Sequence, residues 1–353
     1  MRMLFLLMLI LTLALPSFSQ TAASTAPGLP KEPHEIFAAA APFYDFTAPS
    51  LKPWHLKATY QFYDEKGQPA EQGTYEYWWA SPQVYRSTWT RPGAIHTDWH
   101  TADGTRASTS SGGRLRYFER GLQSALFSPL PTKAALEPSS ARLSLEERPT
   151  KIKGVKLPCI SLISVNQSQL QTQPSSFYPA YCFDPSMPIL RASSSMGTMT
   201  TEFNSIVKFQ GKYLAKEIVD LAVGRKLFSA KVDSVGGLDP NDPALTPPPD
   251  ATQTKVDNPE GGAGVAVGQF MKKQTPIYPL AAKAQGQQGT VILGAIIGVD
   301  GTVHDLEVVF APYELLGAAA LEAVSHWEYK PYLLNGRPVE VETTINVAFS
   351  LGR

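Results

Sequence analysis

Three side chains with metal-binding chemistry stand at alternate positions in the sequence, His96, Asp98 and His100. On a strand, all three would project from one face, because successive side chains point to opposite sides. Two imidazoles and a carboxylate are ligands that zinc and other transition metals accept. Polar alternation is also ordinary strand patterning, with Ile95 and Trp99 on a buried opposite face. We expect the trio to be solvated and predict no metal site.

Motifs for catalysis or phosphate binding are missing from the sequence. The segment 261–268 is rich in glycine, but no strand pattern precedes it and no P-loop Lys-Ser/Thr follows it. No Gly-x-Ser-x-Gly pattern occurs. His304 and His326 have no nucleophile pattern near them. We therefore predict a protein that is not an enzyme and uses no cofactor.

The composition fits two ordinary folded domains and gives no support to nucleic-acid binding. Lys+Arg and Asp+Glu both total 31 in 353 residues, so the formal net charge is zero, whereas a nucleic-acid binder would show a basic face. The hydrophobic share of 43% is enough for a normal core. The 30 prolines favour a linker or many loops.

The first residues resemble a secretory signal. Arg2 precedes an uncharged apolar run, residues 3–15, which is followed by Pro16 and small residues. We predict a signal peptide at 1–19 that is cleaved, so that the mature protein is exported. The alternative is an uncleaved segment that anchors the chain in a membrane, although a spanning helix needs about 20 apolar residues.

Two cysteines, Cys159 and Cys182, each lie in a short strand-like run. An even number of cysteines in an exported protein favours a disulfide, here between neighbouring strands. Two buried free thiols are the alternative. Two cysteines are too few for a zinc site made of cysteine alone.

The chain divides into segments of different pattern. Many short alternating runs, separated by turns such as Asp103-Gly104, indicate a meander of antiparallel strands, with helices expected between Leu122 and Leu145. A stretch rich in proline and glycine then precedes a second patterned region. The predicted segments are a loosely ordered N-terminal part at 20–53 with a short helix near 33–41, a β-rich domain at 54–238, a linker at 239–264 and a small domain at 265–353.

Tryptophan is concentrated in the first strands of the β-rich domain. Trp78 and Trp79 are adjacent and must point to opposite faces of a strand, and Trp89 follows on the next strand. This pattern fits a curved sheet with one face on a core and the other lining a cavity. We take the three tryptophans as candidates for a ligand groove. A sheet buried on both sides by ordinary packing is the alternative.

The C-terminal region predicts strand, turn, strand, helix, strand, turn and strand over residues 287–351. The last strand, 339–349, keeps a strict period of two and is therefore half buried. The turn at Asn335-Gly336 would pair it with roughly residues 327–334. Pro312 would open a helix whose apolar stripe continues to Trp327. The result is a small antiparallel sheet with one helix.

Several short motifs in this region occur together and in a fixed order. They are Tyr278-Pro279, Gly289 before the first strand, Asp300-Gly301 at its turn, Trp327, Tyr329 and Pro331 after the helix, and Asn335-Gly336 in the last hairpin. Together they resemble the C-terminal domain of TonB, the periplasmic energy transducer. The motifs cover about a quarter of the chain and are fold motifs rather than catalytic ones.

The resemblance implies a peptide-binding function. TonB C-terminal domains bind the short TonB box of outer-membrane receptors by adding it as a strand to a sheet edge. Carried over, the candidate edge is the last strand, with Val339, Val341, Thr343, Ile345 and Val347. The alternative is that this edge is covered or pairs in a homodimer.

The remainder of the chain departs from TonB. A strand-rich domain stands where TonB has its long proline-rich rod, and no clear anchor to the inner membrane precedes it, so the resemblance implies binding rather than force transduction. The N-terminal domain resembles LolA-type curved sheets, which bind lipid or acyl chains, through its strand meander, its tryptophans and Ser81-Pro82-x-x-Tyr85-Arg86.

We therefore predict an α+β protein made of an antiparallel curved sheet domain with a few helices and a TonB-like domain. Its predicted function is to bind outer-membrane TonB-dependent receptors or other envelope proteins and so support transport. The alternative is a periplasmic carrier of a lipid or another hydrophobic ligand. The predicted location is the periplasm, or the inner membrane if the leader is retained.

Overall fold

The structure is a computed structural model that describes residues 28–146, 151–152, 154–164, 178–195, 199–255, 269–334 and 337–351. The predicted signal peptide, the second half of the predicted linker and the Asn335-Gly336 turn lie outside these residues. Within the described ranges, no helix has both the length and the apolar character needed to cross a membrane.

The described residues form four α-helices and 22 strands. The helices are α1 (Pro33–Ala40), α2 (Tyr117–Phe127), α3 (Leu280–Ala284) and α4 (Glu314–Val324). Short 3-10 turns lie at Ala41–Phe43, Ala134–Leu136 and Pro243–Leu245. The strands are β1 (Trp54–Tyr63), β2 (Pro69–Trp79), β3 (Tyr85–Arg91), β4 (Ala94–His100), β5 (Thr105–Ser111), β6 (Ala141–Glu146), β7 (Lys151–Ile152), β8 (Val155–Lys156), β9 (Cys159–Ser164), β10 (Ala180–Phe183), β11 (Leu190–Ser195), β12 (Met199–Phe209), β13 (Lys212–Ala222), β14 (Arg225–Gly237), β15 (Thr252–Lys255), β16 (Phe270–Lys272), β17 (Gly289–Ile297), β18 (Val303–Phe310), β19 (Glu328–Tyr329), β20 (Tyr332–Leu334), β21 (Arg337–Val339) and β22 (Val341–Phe349).

One antiparallel sheet of 13 strands dominates the N-terminal domain, in the order β15-β5-β4-β3-β2-β1-β14-β13-β12-β11-β10-β9-β6. Along β1, Trp54, Leu56 and Ala58 are fully buried and the residues between them are partly exposed, as expected for a strand with one face on a core. We call this core side the inner face. The predicted α+β class is confirmed in coarse terms, since antiparallel sheet predominates and the helices are few.

Helices α1 and α2 cover the inner face with apolar side chains. Phe127 of α2 lies 5.0 Å from the Trp54 ring and 4.7 Å from the Tyr77 ring, measured between ring centroids. Ile36 and Phe37 of α1 are buried in the same core. The predicted short helix near 33–41 is therefore present, and residues 28–53 are packed on the domain rather than loosely ordered.

A buried carboxylate fixes α2 to the sheet. Glu119 is fully buried, and its Oε1 accepts a hydrogen bond from the Tyr60 hydroxyl at 2.5 Å and lies 3.2 Å from Arg91 Nε. Its Oε2 accepts from the backbone N–H of Arg116, just before the helix, at 2.8 Å. The indole N–H of Trp89 donates to the Glu119 carbonyl at 3.0 Å. The charge is thus satisfied from several sides.

Residues 239–255 differ from the prediction of a linker. β15 pairs with β5 and forms one end of the large sheet, with Thr252 opposite Ser108. The Trp99 indole N–H donates to the Ala244 carbonyl at 2.9 Å. The prolines of this stretch precede β15, where they do not interrupt its ladder, so the segment is able to add an edge strand. The linker prediction is wrong for 239–255, and 256–264 lies outside the described residues.

Cys159 on β9 and Cys182 on β10 stand directly opposite each other and form a disulfide. Both residues are buried, in a small apolar cluster with Leu157 and Ala192. The prediction of a disulfide between neighbouring strands is confirmed. The bond closes a loop that includes residues 165–177, which the structure does not describe.

The C-terminal domain is a separate three-stranded antiparallel sheet in the order β18-β17-β22. One face carries buried residues of β17 and β22, among them Val291, Leu293 and Ile345, and packs on Leu316 and Ala320 of α4. The predicted helix on a small sheet is present. Leu315, an apolar residue of α4, is exposed.

The last strand pairs differently from the prediction. β20 and β21 form a separate hairpin around residues 335–336, and β22 pairs with β17 rather than with residues 327–334. Glu340 separates β21 from β22, so Val339 does not belong to the long strand. The physical reason is length, because β17 offers a nine-residue ladder and β20 only three residues.

The opposite face of the C-terminal sheet rests on the N-terminal domain. Ile292 and Phe310 are buried in the same apolar cluster as the N-terminal core. Gly294 permits this contact, since a Cβ placed on it would lie 3.1 Å from the Tyr117 ring. The Arg225 guanidinium lies 4.7 Å from the centre of the Phe310 ring. The two domains are therefore docked through both apolar and polar groups.

Candidate partner-binding edge

β22 is an edge strand. It ends the three-stranded sheet, and within the described residues its backbone bonds to no strand other than β17. In an antiparallel strand, alternate residues turn their N–H and C=O groups away from the paired neighbour. These outward groups are the chemistry that a second extended chain would use.

The predicted edge residues are placed as follows. Ile345 and Val347 are buried on the face toward α4, and Val341 and Thr343 on the same face are half-buried. Val339 lies on β21 and is not part of the edge. The period of two in the sequence therefore predicted correctly which side chains of the strand face the domain core. The edge that can form hydrogen bonds with a partner is the backbone of β22.

The free edge borders a groove between the two domains. Glu342, Thr343 and Thr344 line a cavity of about 530 Å³. Thr343 is paired with Ala295 and Thr344 with Gly294, so these two side chains lie on opposite faces of the sheet. The cavity therefore lies along this part of β22. We call this cavity the β22 groove.

A row of side chains from four neighbouring strands lines the other side of the β22 groove. In the register of the large sheet, Tyr181 is opposite Ser193, Ser193 is opposite Thr201, and Thr201 is opposite Asp220. All four residues line the groove. The row runs across β10, β11, β12 and β13, so the N-terminal sheet faces the C-terminal edge with polar groups.

Asp220 is the acidic end of this row. It is only 9% exposed, and its Oδ1 accepts a hydrogen bond from the Thr201 hydroxyl at 2.5 Å. Burial raises the pKa of Asp220 to about 6, and the hydrogen bond from Thr201 opposes that shift. Within the described part of the chain, no cation forms an ion pair with this carboxylate.

Helix α2 holds the edge strand in place beside the groove. Arg120 Nε lies 2.8 Å from Glu342 Oε1 on β22, and Arg120 Nη2 lies 3.0 Å from Glu307 Oε1 on β18. The backbone N–H of Tyr117 also donates to Glu307, at 2.6 Å. Burial raises the pKa of Glu307, and the charge of Arg120 opposes this effect. Arg120 thus bridges both outer strands of the C-terminal sheet.

The residues of the fold motifs support this sheet. The Tyr278 hydroxyl donates to the Gln287 carbonyl and its ring meets Phe349 edge-on at 5.4 Å, while Pro279 precedes α3. Gly301 has a φ of 86°, and the backbone N–H of Thr302 donates to Asp300 Oδ1 at 3.0 Å. These two residues form the predicted tight turn.

The remaining motif residues lie at the start and the far end of the sheet. Gly289 begins β17 at a φ of 143°. The buried Trp327 donates its indole N–H to the Gln274 carbonyl at 2.7 Å, and Tyr329 packs against Phe270. Pro331 follows at the start of the small hairpin, whose turn, Asn335-Gly336, lies outside the described residues. Asp300 is exposed at its turn, whereas the other motif residues within the described ranges are buried or half-buried.

The three candidate groove tryptophans do not line one surface. Trp79 and Trp89 are buried on the inner face. Trp78 is on the other face, where it stacks on His55 at 4.7 Å and lies beneath the guanidinium of Arg86 at 4.3 Å. The inner face around Trp79 is filled by aromatic rings of the core, Phe127 among them. A lipid groove at these residues stays a prediction that the packing does not support.

The trio His96, Asp98 and His100 faces inward, contrary to the expected orientation. These residues line a second cavity, of about 540 Å³, to which Ile296 and Asp305 of the C-terminal domain also contribute. The expectation that Ile95 is buried is wrong, because it is 50% exposed. His96 is paired with Trp89, so the trio is on the inner face of the sheet, and Gln123 and Ser124 of α2 line the same cavity.

The contacts of the trio are local. His96 Nε2 lies 3.0 Å from Asp98 Oδ2, and the His100 ring stacks on Tyr85 at 4.1 Å. Burial lowers the pKa of His100. Across the described ranges, no three or more His, Cys, Asp or Glu side chains are grouped so as to hold a metal ion.

Asp220, Arg120 and Glu342 are the residues of this region that the sequence did not single out. Asp220 stands in the run Ile218-Val219-Asp220-Leu221, and a charged residue within an apolar strand was the available signal. Arg120 and Glu342 are 222 residues apart, and no local pattern connects them.

Residues 274–351 match the family described as Gram-negative bacterial TonB protein C-terminal. Protein TonB of Vibrio cholerae serotype O1 is 31% identical over 77 residues, which are 22% of this chain. The matched residues are 32% of that protein, so the chain spans about a third of the length of this curated relative. The predicted resemblance of the C-terminal domain to TonB is confirmed.

Two solved structures are similar to parts of the chain. The solution NMR structure of the Pseudomonas aeruginosa TonB C-terminal domain has a TM-score of 0.23 and 23% identity, and covers 26% of this chain and 95% of that one. The crystal structure of a LolA superfamily protein from Nitrosomonas europaea has a TM-score of 0.35 and 8% identity, and covers 63% of this chain and 99% of that one. At such TM-scores, these similarities assign neither a fold nor a ligand to this chain.

Proposed function

We propose that this chain is an envelope protein that binds outer-membrane transporters by taking up an extended segment of the transporter as an additional strand on β22. The observation that carries the proposal is the free edge of β22, in a region that matches the TonB C-terminal family and opens onto a groove. An unpaired edge supplies affinity through main-chain hydrogen bonds.

The edge is suited to take up a strand for two further reasons. β22 is nine residues long, so it offers several outward N–H and C=O groups to a partner. Glu342 is held by Arg120, and Ile345 and Val347 are buried in the domain core, so the strand is fixed before a partner arrives. A fixed edge loses little conformational freedom on binding, which favours affinity.

Site-directed cross-linking tests the proposal. The two natural cysteines are joined in a disulfide, so a Thr344→Cys variant carries one free thiol on the edge strand. We expect it to form mixed disulfides with synthetic TonB-box peptides that carry cysteine at successive positions. The yield should alternate along the peptide, because side chains of a strand alternate between faces.

The matched control is Val308→Cys. Val308 lies on β18, the other outer strand of the same sheet, and is 40% exposed. If both variants cross-link equally, or if the yield from Thr344→Cys does not alternate along the peptide, strand addition to β22 is wrong.

A further inference from the structure

Asp220 is a buried acidic group that faces open space. Its side chain is on the inner face of β13 and borders the β22 groove, opposite the edge strand. One oxygen accepts from Thr201, and the second has no hydrogen-bond partner within the described residues but is not sealed from solvent. The second oxygen is therefore available to a molecule in the groove.

The groups around the groove do not neutralise this acid. Among the described residues, Arg120 is the cation that lines the groove, but its guanidinium is bound to Glu307, Glu342 and the Leu115 carbonyl. Ser193 and Thr201 are neutral. A carboxylate removed from water without a cation is unfavourable, and an ammonium or guanidinium group that enters the site relieves it.

The geometry also restricts which part of a ligand reaches Asp220. β22 borders the groove at Glu342, Thr343 and Thr344, whereas the N-terminal sheet borders it with the row from Tyr181 to Asp220. A chain that pairs with β22 therefore presents alternate side chains toward this polar row. A positively charged side chain at one of those positions would meet the acid.

We propose that Asp220 determines specificity in the β22 groove by binding a lysine or arginine side chain of the extended segment that adds to β22. This inference rests on the proposed function and deepens it, because it states which side chain the segment must carry. The N-terminal domain then contributes half of the binding site. A segment with an acidic residue at the same position would be rejected by Asp220.

Matched peptides test the inference on the full chain. The probe is a TonB-box peptide with lysine placed at each position in turn, and its partner peptide has glutamine at the same position. At one position, we expect the lysine peptide to bind about tenfold more tightly than the glutamine peptide, as for a charge-assisted hydrogen bond. Isothermal titration calorimetry gives both dissociation constants.

The Asp220→Asn variant should remove the preference while it still binds the glutamine peptide. The asparagine oxygen still accepts from Thr201, and the buried charge is gone, so we expect the variant to fold. Glu217→Gln is the matched control, since Glu217 is on the same strand but on its other face. This control should keep the tenfold preference.

The outcomes separate the two proposals. If lysine is no better than glutamine at every position, or if Asp220→Asn keeps the preference, the role of Asp220 is overturned although strand addition stands. If no peptide binds the unmodified protein, both are overturned. The ratio of the dissociation constants of the lysine and glutamine peptides is measured on the unmodified protein. This test therefore remains valid even if a variant does not fold.

Discussion

Glu119 and Asp220 are both buried carboxylates that lie between α2 and the large sheet, yet their surroundings differ. Glu119 is bonded by Tyr60 and by a backbone N–H and lies beside Arg91, so its charge is compensated in the folded protein. Asp220 has one hydrogen bond within the described part of the chain, from Thr201. The first residue fixes a helix, whereas the second keeps a binding group at the cost of stability.

The charge of Asp220 predicts a pH dependence of stability. Its pKa is about 6 in the folded protein, against 3.8 for an ordinary Asp, so the folded state holds the proton more tightly than the unfolded state. The penalty is therefore absent below the ordinary pKa and fully present above pH 6. We expect Asp220→Asn to raise the free energy of unfolding at pH 7 by up to roughly 3 kcal/mol.

Urea unfolding at several values between pH 4 and 7 measures this effect. The difference between Asp220→Asn and the unmodified protein should grow as the pH rises through this window. Glu217→Gln, on the other face of the same strand, is the control. A difference that does not change with pH for Asp220→Asn would contradict a raised pKa.

Helix α2 contacts both domains. Its Phe127 packs on the inner face of the large sheet, and its Arg120 bonds to Glu307 and Glu342 of the small one. Removal of the Arg120 guanidinium would take from both carboxylates the cation that joins them. The position of β22 thus depends on a helix that is far from it in sequence.

We expect Arg120→Met to destabilise the docked arrangement by about 1–2 kcal/mol, because the two pairs are charge-assisted but partly exposed. Amide hydrogen exchange should become faster along β18 and β22, while β1 and β14 remain protected. Arg142→Met, at an exposed arginine of β6, is the control. Unchanged exchange in β22 would show that Arg120 does not hold the edge strand.

On the scale of the whole molecule, the two domains share one apolar cluster. Phe310 and Ile292 of the C-terminal sheet are buried with the N-terminal core. Separation of the two domains would therefore expose apolar surface on both. Burial of this kind couples the unfolding of two domains, because each stabilises the other. The full chain should therefore unfold in one main transition.

Phe310→Ala should lower this transition and divide it into two. Truncation of a buried phenylalanine costs about 3–5 kcal/mol, and here the loss falls on the domain contact. Differential scanning calorimetry of the full chain measures both effects. Tyr313→Ala is the control, since this nearby aromatic side chain is 43% exposed and should change little. A single transition with an unchanged midpoint for Phe310→Ala would contradict the coupling.

Local pattern was sufficient to predict much of the C-terminal domain. The alternation from Val341 to Val347 follows from burial on one face of the strand. The tight turn at Asp300-Gly301 was predictable because glycine occupies the position that has a positive φ. The partner of β22 was not predictable in this way. It depends on the competition between β17 and β20, and their lengths are known only once the hairpin is formed.

The binding groove depends on residues that are distant in sequence. Asp220 reaches the groove through the pairing of β13 with β12 beside the C-terminal domain, and Ile95 is exposed although Trp99 on the same face of β4 is buried. Neither fact is encoded within a short window. The sequence showed only a charged residue, Asp220, in an apolar strand. That this residue borders a groove could be recognised only from the tertiary structure.

β15 fixes the point from which the C-terminal domain is tethered. It ends at Lys255 in the large sheet, and the next described residue is Gln269. The intervening chain reaches at most on the order of 50 Å when fully extended. A released C-terminal domain would therefore stay within this radius, at an effective concentration in the millimolar range. Redocking of the C-terminal domain would then not depend on the protein concentration. A binding partner would have to compete with the other domain of the same chain.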